Sequence, residues 1–118
     1  MDPADDLARP LAHVKADLFK ALAHPARVRA LEVLADGERS VTELQVEVGI
    51  ESSHLSQQLG VLRRAGLVTT RREGSSVYYA VKSPLLVDLL AAAKALLVTS
   101  LRETQDLLTE LAAESVAE

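Results

Sequence analysis

The chain has 118 residues, 48% apolar and 25% charged, with 3% aromatics and no cysteine. That is enough for one domain. It excludes disulfides, thiolate metal sites and thiol redox switches, and leaves a core of Leu, Val and Ala that favours helices. The net charge of −4 argues at first against a nucleic-acid partner, but Ser52 to Lys82 holds five basic residues and one acid, a local +4 between two flanks of −4. A local patch, not the total, decides phosphate binding.

Met1 to Asp6 is acidic, so no export signal is expected. The longest apolar stretch, Leu89 to Val98, is interrupted by Lys94 and reads as too short for a membrane span. A soluble, cytoplasmic protein is expected.

Asp2 and Asp5 are candidate helix caps, and Pro10 marks a helix start or kink. Leu11, Val14, Leu18, Phe19 and Leu22 then repeat with helical spacing. His24-Pro25 ends that helix, because proline disfavours helical conformation in the residue before it. Pro25 opens the next, with Val28, Leu31, Val33 and Leu34 on its apolar side and Asp36-Gly37 at its end. Ser40-Val41-Thr42-Glu43 fits a capping box for a short helix stopping at Gly49. After a tight turn, Ser52 to Ala65 forms another helix closed by Gly66. Leu67–Arg72 and Ser76–Val81 are β-prone, with Glu73-Gly74-Ser75 as the hairpin turn. Ser83-Pro84 opens a long helix to about Ala112, whose leucines repeat at a spacing near 3.5.

Two helices joined by a tight glycine turn form a helix-turn-helix, whose second helix enters the major groove. In Ser52 to Ala65, Leu55, Leu59 and Leu62 share the core side. Ser53, Gln57, Gly60 and Arg64 lie opposite, flanked by Ser52, His54 and Ser56. Gln pairs bidentately with adenine, Ser donates or accepts, and Arg reaches guanine or phosphate. A solvated face has the same composition, so the capped helix before and the hairpin after carry the DNA reading. Gly60 is unfavourable inside a helix; drift and a close backbone approach are both open. At the hairpin, Arg71, Arg72, Ser75 and Ser76 suit phosphate or minor-groove contact.

The segments LFKALAHPARVRALEVLADGERSVTEL and GIESSHLSQQLGVLRRAGLVTTRREGSSVYYAV resemble the arsenical-resistance repressor (ArsR/SmtB) family of winged helix-turn-helix regulators, over about residues 18–82. The resemblance implies a mainly α fold with a small β-hairpin, in the order α-α-α-α-β-β-α. It implies a homodimer built through the first and last helices and two reading helices about 34 Å apart on a near-palindromic operator. Residues 1–118 then form a single domain, with dimerisation helices at 1–22 and 84–112 and the helix-turn-helix plus wing at 40–82. The dimer interface is expected at Leu11, Leu18, Leu86, Leu89, Leu90, Ala93, Leu97, Leu101 and Leu108, because a lone stripe of this kind would stay wet.

Many relatives release DNA on binding metal. The family's thiolate positions correspond here to Ser40 and Thr42, and its last-helix positions to Ser83, Leu85, Leu96 and Thr99, so neither ligand set is present. His13 and Asp17, one turn apart on the first helix, form at most half of a site for nickel, zinc or cobalt, with Glu103, Asp106 or Glu110 of the last helix as acids to complete it across a dimer. The leading expectation is a DNA-binding repressor. The alternatives are a metal-responsive regulator using that non-standard site, and a DNA-binding subunit that needs a protein co-regulator. No enzyme is expected, since no phosphate loop or acid–base set is present.

Overall fold

The computed structural model describes residues 3–117, with side chains from 7 to 116. The order is α1 (Pro3–Leu22), α2 (Pro25–Ala35), β1 (Arg39–Ser40), α3 (Val41–Val48), α4 (Ser52–Arg64), β2 (Val68–Glu73), β3 (Ser76–Val81) and α5 (Pro84–Ala117). The chain divides into two units, Met1–Val87 and Asp88–Glu118.

The expected breaks fall where their chemistry put them. His24 has extended backbone, and its Nδ1 accepts from the Ala26 N–H at 3.1 Å, so it caps α2 with Pro25 at the first turn. Ser40 caps α3 in a complete capping box: its hydroxyl accepts from the Glu43 N–H, and the Glu43 carboxylate accepts from the Ser40 N–H, both at 3.1 Å. Gly49 ends α3 at φ 75, in the left-handed region that favours glycine.

Three expectations need correction. Pro10 does not start a helix but lies inside α1, which runs back to Pro3; Asp5 is therefore inside the helix, and Asp2 lies outside the described residues. The hairpin belongs to a three-stranded antiparallel sheet, ordered β1-β3-β2, in which Arg39 pairs with Tyr79 and Ser40 with Tyr78. A two-residue strand is too short to leave a period-2 pattern. The hairpin loop is Gly74-Ser75 alone, since Glu73 pairs with Ser76. Gly74 has φ 61 and Ser75 does not, the φ pattern of a type II′ turn.

The core of the first unit is aliphatic. Leu31 (α2), Leu44 (α3) and Leu55, Leu59 and Leu62 (α4) are fully buried, with Ala26, Ala30, Val33, Leu34 and Val68 around them. Leu86, expected at the dimer interface, is buried here too, because the first turn of α5 covers this core. Among the described residues the one buried polar side chain is Gln58, at 8% exposure. Its Oε1 accepts from Arg27 Nη1 at 2.8 Å, while Arg27 also donates to the carbonyls of Ala21 (2.7 Å) and Lys20 (3.2 Å). One guanidinium therefore caps the end of α1 and satisfies the core amide of α4.

The second unit is α5 beyond Val87. The helix reaches Ala117, past the expected Ala112. Ser100, Thr104 and Thr109 donate to the carbonyls one turn earlier, so their hydroxyls are satisfied along the helix itself. Contrary to the reading of Leu89–Val98 as too short, Pro84–Val116 is long and apolar enough, by length and composition, to cross a membrane. Lys94 does not end the run, because Leu96, Leu97 and Leu101 continue it in the same helix. Leu89 and Leu90 are half-buried, whereas Ala93, Leu97, Leu101 and Leu108 are exposed.

Candidate nucleic-acid interface

The α3–turn–α4 unit projects one polar helix face. The fully buried leucines of α4 fix its rotation, because residues at 100° intervals cannot all face inward. Ser52, Ser53, Ser56, Gln57, Arg63 and Arg64 are thereby exposed. Arg63 was absent from the sequence expectation, although it lies in the same last turn as Arg64. A Cβ at Gly60 would stand 3.2 Å from Arg64 Nη1, the tip of a flexible side chain that can give way, so no contact within the chain requires glycine there.

His54 departs from the expected reading face. Its half-buried ring meets the ring of His24 edge-on, with centroids 5.5 Å apart and planes at 85°. Both line a cavity of about 320 Å³ with Pro25, Ala26, Arg29, Val48 and Ile50. Position 54 stands one turn before the buried Gln58, which turns its ring partly toward the residues of α2 and α3 that line this cavity.

The two arginines of the wing lie on opposite faces of β2. Arg72 pairs across the hairpin with Val77, is exposed, and makes no ion pair or side-chain hydrogen bond among the described residues. Ser75 and Ser76 are exposed at the tip. Arg71 is engaged on every guanidinium nitrogen: Nε and Nη2 donate to Glu38 at 2.8 and 2.6 Å, and Nη1 to Glu73 at 2.8 Å. Its guanidinium also lies 4.4 Å from the centroid of the Tyr78 ring. The hydrogen bonds from Arg71 hold the Glu38 carboxyl below the usual carboxylate range, and the two carboxylates raise Arg71 above its ordinary value. Glu38, 33 residues away, was invisible as a partner because nothing local links the two.

His13 and Asp17 are exposed on α1. Among the described residues, no group of three or more His, Asp or Glu side chains stands ready to hold a metal. The family's metal positions do not fit one either: the Ser40 hydroxyl accepts from the Glu43 N–H and the Ser83 hydroxyl from the Leu85 N–H, while Leu85 and Leu96 offer no donor.

A helix-turn-helix with an exposed Ser/Gln/Arg face beside a two-stranded wing is a DNA-binding arrangement, and comparison with known proteins agrees. Residues 24–70 match the family described as "Bacterial regulatory protein, arsR family". The chain is 50% identical over 107 residues to the uncharacterized HTH-type transcriptional regulator Rv0081 of Mycobacterium tuberculosis, covering 90% of this chain and 94% of that one. The crystal structure of Rv0081 superposes with a TM-score of 0.74, covering 80% of this chain and 95% of that one at 53% identity. The chain is 55% identical over 62 residues to the biofilm growth-associated repressor of Agrobacterium fabrum, 52% of this chain and 53% of that one. The homodimeric winged helix-turn-helix DNA-binding domain of Mb0332 from Mycobacterium bovis matches with a TM-score of 0.75 at 32% identity, covering 86% and 94%. The chain therefore belongs to the arsR family of bacterial regulatory proteins, and is a winged helix-turn-helix DNA-binding transcription regulator rather than an enzyme.

Proposed function

We propose that this regulator is a cytoplasmic homodimeric repressor that occludes a promoter by seating two copies of α4 in successive major grooves of a near-palindromic operator. The observation that carries the reading is the α4 face of Ser52, Ser53, Ser56, Gln57 and Arg64, exposed and free of acid, opposite three fully buried leucines. Gln57 is the base reader, Arg64 a base or phosphate contact, and Ser52, Ser53 and Ser56 supply adaptable hydrogen bonds. Arg72, Ser75 and Ser76 bring the wing to the backbone or minor groove.

Residues 1–118 act as one functional domain, with 40–82 carrying the helix-turn-helix and wing. The dimer forms through residues 1–22 and 84–112. In support, Leu11, Leu97, Leu101 and Leu108 are each more than half exposed, which a second copy would relieve. The homodimeric Mb0332 domain and the repressor from Agrobacterium support the assembly and the sign of regulation.

Selection of binding sites from random duplex DNA, followed by a promoter-reporter assay, tests the proposal. A palindromic consensus with half-sites about one helical turn apart is expected, together with silencing of a reporter that carries it. No enriched sequence, or activation of the reporter, overturns it. Running the selection with and without divalent metal also separates this reading from a metal-responsive one.

A further inference from the structure

We infer that Arg71 is a positioning residue, not a DNA contact: with Glu38 it locks the wing to the amino end of the helix-turn-helix and leaves Arg72 as the wing's phosphate ligand. The inference rests on the wing reading proposed above and deepens it.

The sheet order places β2 and β1 at opposite edges with β3 between them. Arg71 lies on β2, Tyr78 is its partner on β3, and Glu38 immediately precedes β1. The guanidinium crosses the Tyr78 ring at 4.4 Å and closes on both oxygens of Glu38. One side chain thus spans the whole sheet. The backbone link at that far edge is slight, because β1 contributes only Arg39 and Ser40. Ser40 is in turn the cap of α3, so Glu38 is anchored two residues from the start of the helix-turn-helix.

An isolated surface ion pair contributes little. This one is bidentate, shares a second carboxylate and stacks on an aromatic ring, the conditions under which such pairs count. With all three nitrogens engaged, only two of the five guanidinium N–H donors are free, so Arg71 must bring a phosphate against two carboxylates or abandon one of them. Arg72 faces the other way and abandons nothing.

Binding of Glu38→Gln, Arg71→Ala, Arg71→Lys and Arg72→Ala to a duplex carrying the selected sequence, measured by anisotropy across a salt series, tests the assignment. Glu38→Gln decides by sign. Removing an acid near DNA tightens binding on charge alone, whereas loss of the lock weakens it, here by about fivefold. Arg71→Lys keeps the charge but not the fork, so it weakens binding as much as Arg71→Ala does. Neither Arg71 variant changes the salt slope, and Glu38→Gln causes no further weakening in an Arg71→Ala background, where the lock is already lost. Arg72→Ala lowers the slope by about one. Tighter binding by Glu38→Gln, or a slope lowered by about one in Arg71→Ala with affinity kept in Arg71→Lys, overturns the inference. Failure of the wing reading looks different: Arg72→Ala then leaves affinity and slope unchanged. All three positions are exposed, and a thermal melt of each variant confirms that it is folded.

Discussion

Gln57 and Arg72 both face solvent but should fail differently when removed. Gln57→Ala removes the base contact proposed for Gln57, so it should relax preference at one operator position by about 1–3 kcal/mol while leaving binding to unrelated DNA intact. Competition binding against single-base operator variants reads this. Arg72→Ala should weaken all sequences alike. A different kind of residue is Arg27, whose contacts lie inside the protein. Arg27→Met strands the Gln58 amide and frees two α1 carbonyls, and should cost about 2 kcal/mol. Urea unfolding measures it, and the loss should shrink in a Gln58→Met background, where no side-chain amide is left unpaired in the core.

At the scale of elements, α3 depends on its capping box, and the proposed dimer would engage α5. Ser40→Ala should lower unfolding stability by about 1 kcal/mol. The Ser40 N–H holds the Glu43 carboxyl below its usual 4.5, so the folded state binds that proton less readily than the unfolded chain. Its contribution is therefore fully present above about pH 4.5 and is lost as pH falls through the lowered folded value. Stability profiles of the protein and of Glu43→Gln should run apart at neutral pH and converge on acidification. On α5, Leu101 and Leu108 are 70% and 61% exposed. Leu101→Glu with Leu108→Glu should convert dimer to monomer by analytical ultracentrifugation while leaving the first unit's fold intact by circular dichroism. A dimer that survives both charges would place the interface elsewhere.

The whole molecule carries a net charge of −4, yet Ser52 to Lys82, which holds α4 and the wing, is basic. Specific binding should therefore weaken steeply with salt, as counterion release requires, despite the acidic total. The same balance limits the contacts available. Of the five basic residues from Ser52 to Lys82, Arg71 is committed to Glu38 and Glu73, so four remain for phosphate or bases.

Local chemistry made most of this fold legible. The His24-Pro25 break, the Ser40–Glu43 box, the glycine stops at Gly49 and Gly66, and the Leu55–Leu59–Leu62 face each depend on residues within a turn or two of one another, and all lie where the sequence puts them. The burial of Gln58 was not read from the sequence, and neither was its partner. What only the tertiary structure decided depends on residues distant in the chain. Arg27 meets Gln58 across 31 residues and Arg71 meets Glu38 across 33, β1 exists only because β3 lies beside it, and the first turn of α5 buries Leu86 in the core. Periodicity records which face of an element is apolar; it does not record what that face, or a charge beside it, will meet. For the wing this is decisive: two adjacent arginines look alike in sequence, and the pleat and a distant glutamate make one a brace and leave the other free.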